Sequence, residues 1–229
     1  MPPKKPAAKA TISKPATTKA GATKGPTKPK QSVPVNKDAK KVDAKSKEGP
    51  PAKETTEVTA AGITVKFRQL DSVLLRDVGN VIKDSGKWPL VIDPSGTTAT
   101  FLRHRYANVL NALEPSEMTA DKIRLALLGS IRFGKIFVID MMGVDMYDAC
   151  ARRFDEIQEG LLGALIDKSL LKNESYISFI KDSDGPEYNP VQFVDPYLTD
   201  FSFVLLTRNP NPPKHLCDRM YGPIRIEMQ

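Results

Sequence analysis

The chain has 229 residues, a formal net charge of +7, two cysteines and one tryptophan. This length fits one domain or two small ones, and no apolar run approaches the roughly 20 residues of a membrane-spanning helix. The N-terminal sequence has no apolar core and no arginine, which argues against a secretory signal and a mitochondrial presequence. We therefore expect a soluble intracellular protein with free thiols and no membrane partner.

Residues 1–60 form a basic arm of distinct composition. The arm contains fourteen lysines and five acidic residues, a formal charge of +9, whereas residues 61–229 contain 20 basic and 22 acidic residues, a charge of −2. It has no Phe, Tyr, Trp, Leu or Cys, so it cannot bury enough apolar surface to offset the roughly 1–2 kcal/mol of backbone entropy lost per ordered residue. We predict a disordered arm at 1–60 and one folded domain at 61–229.

The first half of the folded region alternates strand-like and helix-like segments. The predicted elements are a strand at 62–69, a helix at 70–83, a buried strand within 87–96 and a helix at 97–113. Apolar and polar residues alternate in the first strand. The first helix places Val78 and Val81 on its apolar face, although Gly79 interrupts it. The short apolar run of KWPLVIDPSG is stopped by Pro94 and Gly96, which is typical of a strand buried on both faces.

The second half continues this alternation. The predicted elements are a helix at 119–133, a strand at 135–140, a long helix at 148–171, a hairpin starting at 176–180, a strand at 200–207 and a short strand at 224–228. Thr119 is a suitable N-cap, and Asp121 lies in the first turn, where the helix dipole favours an acid. The sequence DSDG after residue 180 predicts the turn of the hairpin.

This order predicts an α/β fold with a mostly parallel sheet, helices on both faces and one hairpin. Ligand sites in such sheets lie at the carboxyl ends of the strands. The candidate site residues are therefore those that follow the three apolar strands, namely Asp93, Asp140, Arg208 and Asn209.

Three ordered segments resemble one known family. The sequences KWPLVIDPSG (87–96), SIRFGKIFVIDMMGVDMYD (130–148) and DFSFVLLTRNPNP (200–212) are similar to the fifth AAA module of the dynein heavy chain motor. The dynein-like C-terminal region of IQ-motif and ankyrin-repeat proteins is a second possible relative. The resemblance covers residues 68–228 and implies a partial AAA-type P-loop NTPase core. In dynein this module is regarded as structural, so the resemblance implies a non-catalytic domain.

The departures from an active nucleotide site point in the same direction. A phosphate loop needs GxxxxGK[ST] between a strand and a helix, and this pattern does not occur in the chain. Met141 follows Asp140 where an active AAA site has a catalytic glutamate. We therefore predict no enzymatic activity, no cofactor and no metal site.

Each candidate residue has a functional and a structural interpretation. Asp140 is either a vestigial metal ligand or a group that accepts backbone N–H bonds at the strand end. Asp93 and Asn209 are interpreted mainly as turn formers, and Trp88 as core packing. The resemblance also places Asn209 near the polar sensor of an AAA module, so Asn209 and Arg208 are, like Asp140, weak candidates for a vestigial cofactor site. Arg132, Lys135 and Arg208 are interpreted mainly as solvated surface charges, with a gathering at the strand ends that binds an anion as the alternative. His104, His215 and Cys217 do not form a recognisable catalytic or zinc-binding pattern.

The basic arm predicts binding to a polyanion, because a lysine-rich chain releases counterions when it neutralises one. The predicted polyanion-binding residues are Lys4, Lys5, Lys9, Lys14, Lys19, Lys24, Lys28, Lys30, Lys37, Lys40 and Lys41. A microtubule surface, a nucleic acid, or no partner beyond solvent are the three interpretations. The leading hypothesis is a non-catalytic protein that binds dynein, a microtubule or another cytoskeletal partner, in the cytoplasm, the cytoskeleton or a cilium or flagellum. The alternatives are an ATPase subunit completed by a partner chain and a nucleic-acid-binding protein.

Overall fold

A computed structural model describes residues 58–59 and 62–228, and these belong to one compact unit within residues 52–229. Residues 1–57 of the basic arm, which include the eleven predicted polyanion-binding lysines, lie outside the described residues, so their predicted disorder stays a prediction. The last part of the arm includes Val58 and Thr59, which form a strand. The strands are β1 (Val58–Thr59), β2 (Gly62–Lys66), β3 (Pro89–Ile92), β4 (Asn108–Asn111), β5 (Ile136–Asp140), β6 (Ser202–Thr207) and β7 (Tyr221–Glu227).

These strands form a single sheet in the order β1-β2-β7-β3-β6-β5-β4. The six strands from β2 to β4 are all parallel, and β1 pairs antiparallel with β2 at one edge. In the centre, Ile92 pairs with Thr207, and Asp140 pairs with Leu206. The carboxyl ends of β3, β5 and β6 therefore meet at one edge of the sheet, which we call the carboxyl edge.

The α-helices are α1 (Val81–Asp84), α2 (Thr97–His104), α3 (Ala120–Arg132), α4 (Tyr147–Asp155), α5 (Leu161–Ile166), α6 (Ser169–Lys172), α7 (Asp195–Asp200) and α8 (Lys214–Arg219). Alternate residues of the central strands enter two separate cores. Phe137 and Ile139 pack with α3, α4 and α5 on one face, whereas Val138 packs with α2 on the other. Since successive strand residues point to opposite faces, burial on both faces explains why these strands are continuously apolar. The predicted α/β class is confirmed, with a six-stranded parallel sheet flanked by helices.

The predicted helix at 70–83 is wrong in detail. The segment contains one π-helical turn at Asp71–Leu75 and the short helix α1. Asp77, Gly79 and Asn80 adopt positive φ angles between the two and break the helix. Val78 and Val81 are consequently 68% and 51% exposed, not part of an apolar core face.

The predicted helix at 97–113 ends early, because α2 stops at His104 and Tyr106 has a positive φ of 60°. Residues Asn108–Asn111 form strand β4, which the sequence analysis missed. The apolar pair Val109–Leu110 is too short to distinguish a strand from a helical turn by its spacing, and pairing with β5 decides the outcome.

The predicted long helix at 148–171 is three helices, α4, α5 and α6. Gly160 and Lys168 adopt left-handed conformations, with φ angles of 73° and 65°, and each precedes a new helix. The side chain of Asp155 accepts a hydrogen bond from the Gly160 amide at 2.8 Å, which stabilises the first break.

The predicted hairpin after residue 176 is also wrong. The segment forms four 3-10 turns, Ser175–Phe179, Asp182–Asp184, Pro186–Tyr188 and Pro190–Gln192. Tyr176 and Phe179, three residues apart, both enter the core. Pro186 and Pro190 lack the N–H groups that a return strand would need. Asp184 instead forms a buried ion pair with Arg124 of α3, with N–O distances of 2.5 and 2.8 Å.

The predicted N-cap at Thr119 is half correct. Thr119 occupies the N-cap position of α3, but its side chain forms no capping hydrogen bond. Asp121 lies in the first turn as expected and pairs with Lys181 at 2.6 Å.

Among the described residues, none of the helices is both long and apolar enough to cross a membrane.

Candidate functional site

The carboxyl edge brings together most of the predicted site residues. Asp93 follows β3, Asp140 is the last residue of β5, and Arg208 and Asn209 follow β6. The backbone connects these strand ends directly, because the Asp93 amide donates to the Thr207 carbonyl at 2.9 Å and the Arg208 amide donates to the Met142 carbonyl at 2.6 Å.

Asp93 caps helix α2. Its carboxylate is fully buried and accepts backbone N–H bonds from Ser95 at 2.9 Å and from Thr98 at 2.6 Å, together with the Ser95 hydroxyl at 2.5 Å. Burial acts to raise the pKa of Asp93, but these hydrogen bonds together outweigh burial and hold the pKa below its ordinary value. The carboxylate is therefore a stable anion at the N-terminus of α2.

This arrangement bears directly on phosphate binding. In a phosphate loop the backbone N–H groups at a helix N-terminus point at the phosphates. Here the Thr98 amide in the first turn of α2 and the Ser95 amide in the turn before it already donate to Asp93. A phosphate at this position would compete with a buried negative charge of the same chain.

The carboxylate of Asp140 accepts fewer hydrogen bonds than the carboxylate of Asp93 does. It is 2% exposed, its Oδ1 accepts the Met142 amide at 2.9 Å, and its Oδ2 lies 4.0 Å from Arg208 Nη2. Burial is the largest influence and raises the pKa of Asp140 above its ordinary value, although Met142, Arg208 and Arg103 act in the opposite direction. Asp140 therefore accepts a backbone hydrogen bond at the strand end, as its structural interpretation requires.

The guanidinium of Arg208 packs over Gly96. A Cβ atom at Gly96 would lie 2.8 Å from Arg208 Cζ, and Gly96 has a positive φ of 74°. The Nε of Arg208 is buried and has no hydrogen-bond partner in the described part of the chain. Asn209 forms a turn, because its Oδ1 accepts the Asn211 amide at 2.9 Å.

The alternative interpretation, in which three basic residues gather at one anion site, is wrong. Arg208 lies at the carboxyl edge, whereas Arg132 and Lys135 precede β5 and lie at the opposite, amino edge of the sheet. Arg132 donates to the Glu187 carbonyl at 3.1 Å and to Gln192 Oε1 at 3.0 Å. No single anion can contact all three side chains.

The remaining predicted residues are separate from this site. His104 is exposed at the end of α2, and His215 packs edge-on against Tyr147 with ring centroids 5.2 Å apart. Cys150 and Cys217 are both free thiols, and burial raises the pKa of Cys150 to about 12. In residues 58–59 and 62–228, no group of three or more His, Cys, Asp or Glu side chains could hold a metal ion.

A cavity at the amino edge was missed by the sequence analysis. It has a volume of about 320 Å³, and its lining includes Trp88, Lys168, Asp200 and Phe201. The Lys168 ammonium lies 4.0 Å from the centre of the Trp88 ring. Trp88 itself is 7% exposed, in agreement with its predicted packing role. The left-handed backbone that positions Lys168 has no sequence signal, because lysine rarely adopts it.

Searches against known proteins add no assignment. No family model matches this chain, and no solved structure matches it significantly. The similarity to the dynein module therefore rests on the sequence motifs described above.

Proposed function

We propose that this protein is a non-catalytic interaction module, in which a dynein-like α/β domain binds a cytoskeletal partner and the basic arm adds electrostatic affinity for its acidic surface. The observation that carries the proposal is the position of Asp93. Its carboxylate accepts the Thr98 amide in the first turn of α2 and the Ser95 amide in the turn before it, where a phosphate would otherwise bind. A domain whose phosphate position is filled by its own anion is better suited to presenting a surface than to binding a triphosphate.

The charge distribution supports the second half of the proposal. The arm carries +9 and the rest of the chain −2, so the attraction to a polyanion is concentrated in residues 1–60. Attraction of this kind weakens as salt shortens the Debye length from about 10 Å at 0.1 M to about 3 Å at 1 M.

Two measurements on the full chain test the proposal. Calorimetric titration with magnesium ATP should give no binding heat. Co-sedimentation with microtubules should be strong at low salt, weaker at high salt, and reduced when the eleven predicted arm lysines are replaced by glutamine. A matched chain with arginine at the same eleven positions retains the charge and should pellet like the parent protein.

Three outcomes would contradict the proposal. ATP turnover that disappears in an Asp140→Asn variant would establish an enzyme. Failure to pellet at either salt concentration, or pelleting that does not depend on arm charge, would remove the electrostatic role. Arm-dependent binding to duplex DNA that persists at physiological salt and excludes microtubules would favour the nucleic-acid function.

A further inference from the structure

The open edge of the sheet, at strand β4, contains a groove that is separate from the carboxyl edge described above. The groove lies between β4 and α3 and has a volume of about 470 Å³. Its walls include Val109 of β4 and a row of side chains along and just beyond α3, formed by Lys122, Leu125 and Phe133. Lys135 lies close to Phe133, with its Nζ 5.5 Å from the ring centre. We call this feature the edge groove.

The hydrogen bonds of β4 show which backbone groups face the groove. The Ala112 amide donates to the Asp140 carbonyl of β5 at 2.9 Å. Backbone groups of successive strand residues alternate in direction, so Leu110 also faces β5, whereas Val109 and Asn111 face away from it.

The outward groups of Asn111 are already occupied. Its amide donates to Glu117 Oε2 at 2.7 Å, and its carbonyl accepts the Glu114 amide at 3.0 Å. The outward N–H and C=O of Val109 have no protein partner within residues 58–59 and 62–228. Val109 therefore offers one donor and one acceptor at a sheet edge, which is the pairing unit that an added strand uses.

The side chains around Val109 restrict the type of strand that fits. Leu125 and Phe133 are 37% and 44% exposed, which provides apolar contacts along the groove. Lys122 and Lys135 are exposed and form no ion pair in the described part of the chain. Glu117 is the acidic residue of the groove, and its carboxylate is engaged by the Asn111 amide. The groove thus combines apolar surface with an excess of positive charge.

We propose that the edge groove binds an extended peptide of acidic and apolar residues from a partner protein, and that this peptide pairs with β4 at Val109. Because every second side chain of such a strand faces α3, acidic and apolar residues must both occur among those positions. The row from Lys122 to Phe133 spans eleven helical residues, about 16 Å, which corresponds to about five residues of an extended strand. The basic arm does not fit this role, because its lysines would meet Lys122 and Lys135. This inference rests on the proposed function, since it names the surface through which the domain would bind its partner.

A labelled peptide tests the inference directly. The probe is a fluorescein-labelled ten-residue peptide in which pairs of glutamates alternate with pairs of valines, so that either face of the extended chain carries both residue types. Binding is followed by anisotropy. The protein is the full chain with glutamine at the eleven arm lysines, so that the arm does not bind the acidic probe. The expected result is saturable binding, and the same peptide with lysine in place of glutamate should not bind.

Variants of the groove separate charge from strand pairing. The double variant Lys122→Gln, Lys135→Gln should weaken binding about tenfold, as expected for two surface ion pairs. The matched control Lys172→Gln removes an exposed lysine on α6, outside the groove, and should have no effect. Glu117→Gln should tighten binding about threefold because it removes the repelling carboxylate.

Strand pairing is tested on both molecules. Val109→Pro removes the outward N–H and leaves the bonds to β5 in place, since proline is tolerated at an edge when its nitrogen faces solvent. It should weaken binding at least tenfold. If this variant does not fold, two further peptides test the same contact on the protein with glutamine at the eleven arm lysines. One is N-methylated at its odd-numbered residues and the other at its even-numbered residues, and one of the two should not bind.

The inference is overturned if the unmethylated peptide fails to bind, or if the Lys122→Gln, Lys135→Gln variant binds it as tightly as the protein without these two substitutions. It is also overturned if both methylated peptides bind as tightly as the unmethylated one. Dimerisation of the protein through β4 that the peptide cannot displace would also overturn it, with a second copy as the occupant. The microtubule assay is independent. Peptide binding without pelleting contradicts the cytoskeletal function alone, and pelleting without peptide binding contradicts the groove alone.

Discussion

Replacing Asp93 by asparagine should lower stability, whereas replacing Asp140 by asparagine should not, although both carboxylates are buried at the same edge of the sheet. Each oxygen of Asp93 accepts a backbone N–H, from Ser95 at 2.9 Å and from Thr98 at 2.6 Å. Either orientation of an asparagine amide would place its NH₂ group against one of these donors. Losing a charge-assisted bond and leaving a buried N–H without a partner should cost about 2–3 kcal/mol.

Asp140 differs because only Oδ1 accepts a close backbone bond, from Met142 at 2.9 Å, and asparagine retains that acceptor. The substitution also loses the interaction with Arg208 Nη2 at 4.0 Å, which is weak because that side chain is 36% exposed. It removes a negative charge whose burial is unfavourable. Asp140→Asn should therefore leave the free energy of unfolding unchanged or raise it by up to about 1 kcal/mol.

The pH dependence of the free energy of unfolding gives a second, independent test of the two substitutions. The folded pKa of Asp93 is lowered, so its stabilising contribution is complete above the ordinary value of 3.8 and is lost as the pH falls through the folded pKa. The folded pKa of Asp140 is raised, so its charge is unfavourable at neutral pH and this cost disappears as the pH falls through that raised pKa. The stability difference between parent and Asp140→Asn should accordingly shrink on acidification.

Urea unfolding followed by far-UV circular dichroism, at pH 7 and at about pH 4, measures these differences. An Asp140→Asn variant that loses as much stability as Asp93→Asn at neutral pH would refute the reasoning. The same holds if the cost of Asp93→Asn shrinks between pH 7 and pH 4, because the lowered pKa of Asp93 keeps its contribution complete over that range.

Two further substitutions test the packing around the sheet. Arg124→Met leaves Asp184 as a buried charge without its partner and should cost about 3–5 kcal/mol, whereas Arg153→Ala in an exposed pair should change stability by less than about 1 kcal/mol; equal losses in urea unfolding would contradict the buried-pair argument. Gly62→Ala should lower stability by about 2–3 kcal/mol, because Gly62 has a φ of +115° and a Cβ there would press against a backbone carbonyl oxygen. Gly143→Ala, with no atom within 4 Å of its Cβ, is the control and should be neutral, and thermal unfolding of both variants decides the point.

The central strands were predictable because their sequences follow one physical rule. β3, β5 and β6 are buried on both faces, and such strands require continuous apolar runs closed by polar or turn residues. The errors lie where tertiary contacts override local spacing. Gly160 and Lys168 divide what the apolar spacing presents as one helix, and β4 becomes a strand only because β5 lies beside it.

The candidate site was likewise predictable only in part. The parallel order of strands was sufficient to bring Asp93, Asp140 and Arg208 to one edge. It could not show that Asp93 would fill the helix terminus, since that depends on the geometry of the turn from Pro94 to Thr98. The edge groove was not predictable at all, because it depends on a contact from Glu117 to the backbone of Asn111, six residues away on a missed strand.

The setting of the single tryptophan has a practical consequence. The Trp88 indole nitrogen donates to the Leu165 carbonyl at 2.8 Å, and the Lys168 ammonium lies 4.0 Å from the ring centre. Burial, and secondarily Lys172, lowers the pKa of Lys168, so this ammonium loses its proton at a lower pH than an exposed lysine does. The intrinsic emission of the protein should therefore titrate with one neighbouring side chain. The same indole borders the amino-edge cavity, so a molecule that binds in this cavity should change the tryptophan emission and could be detected without an attached dye.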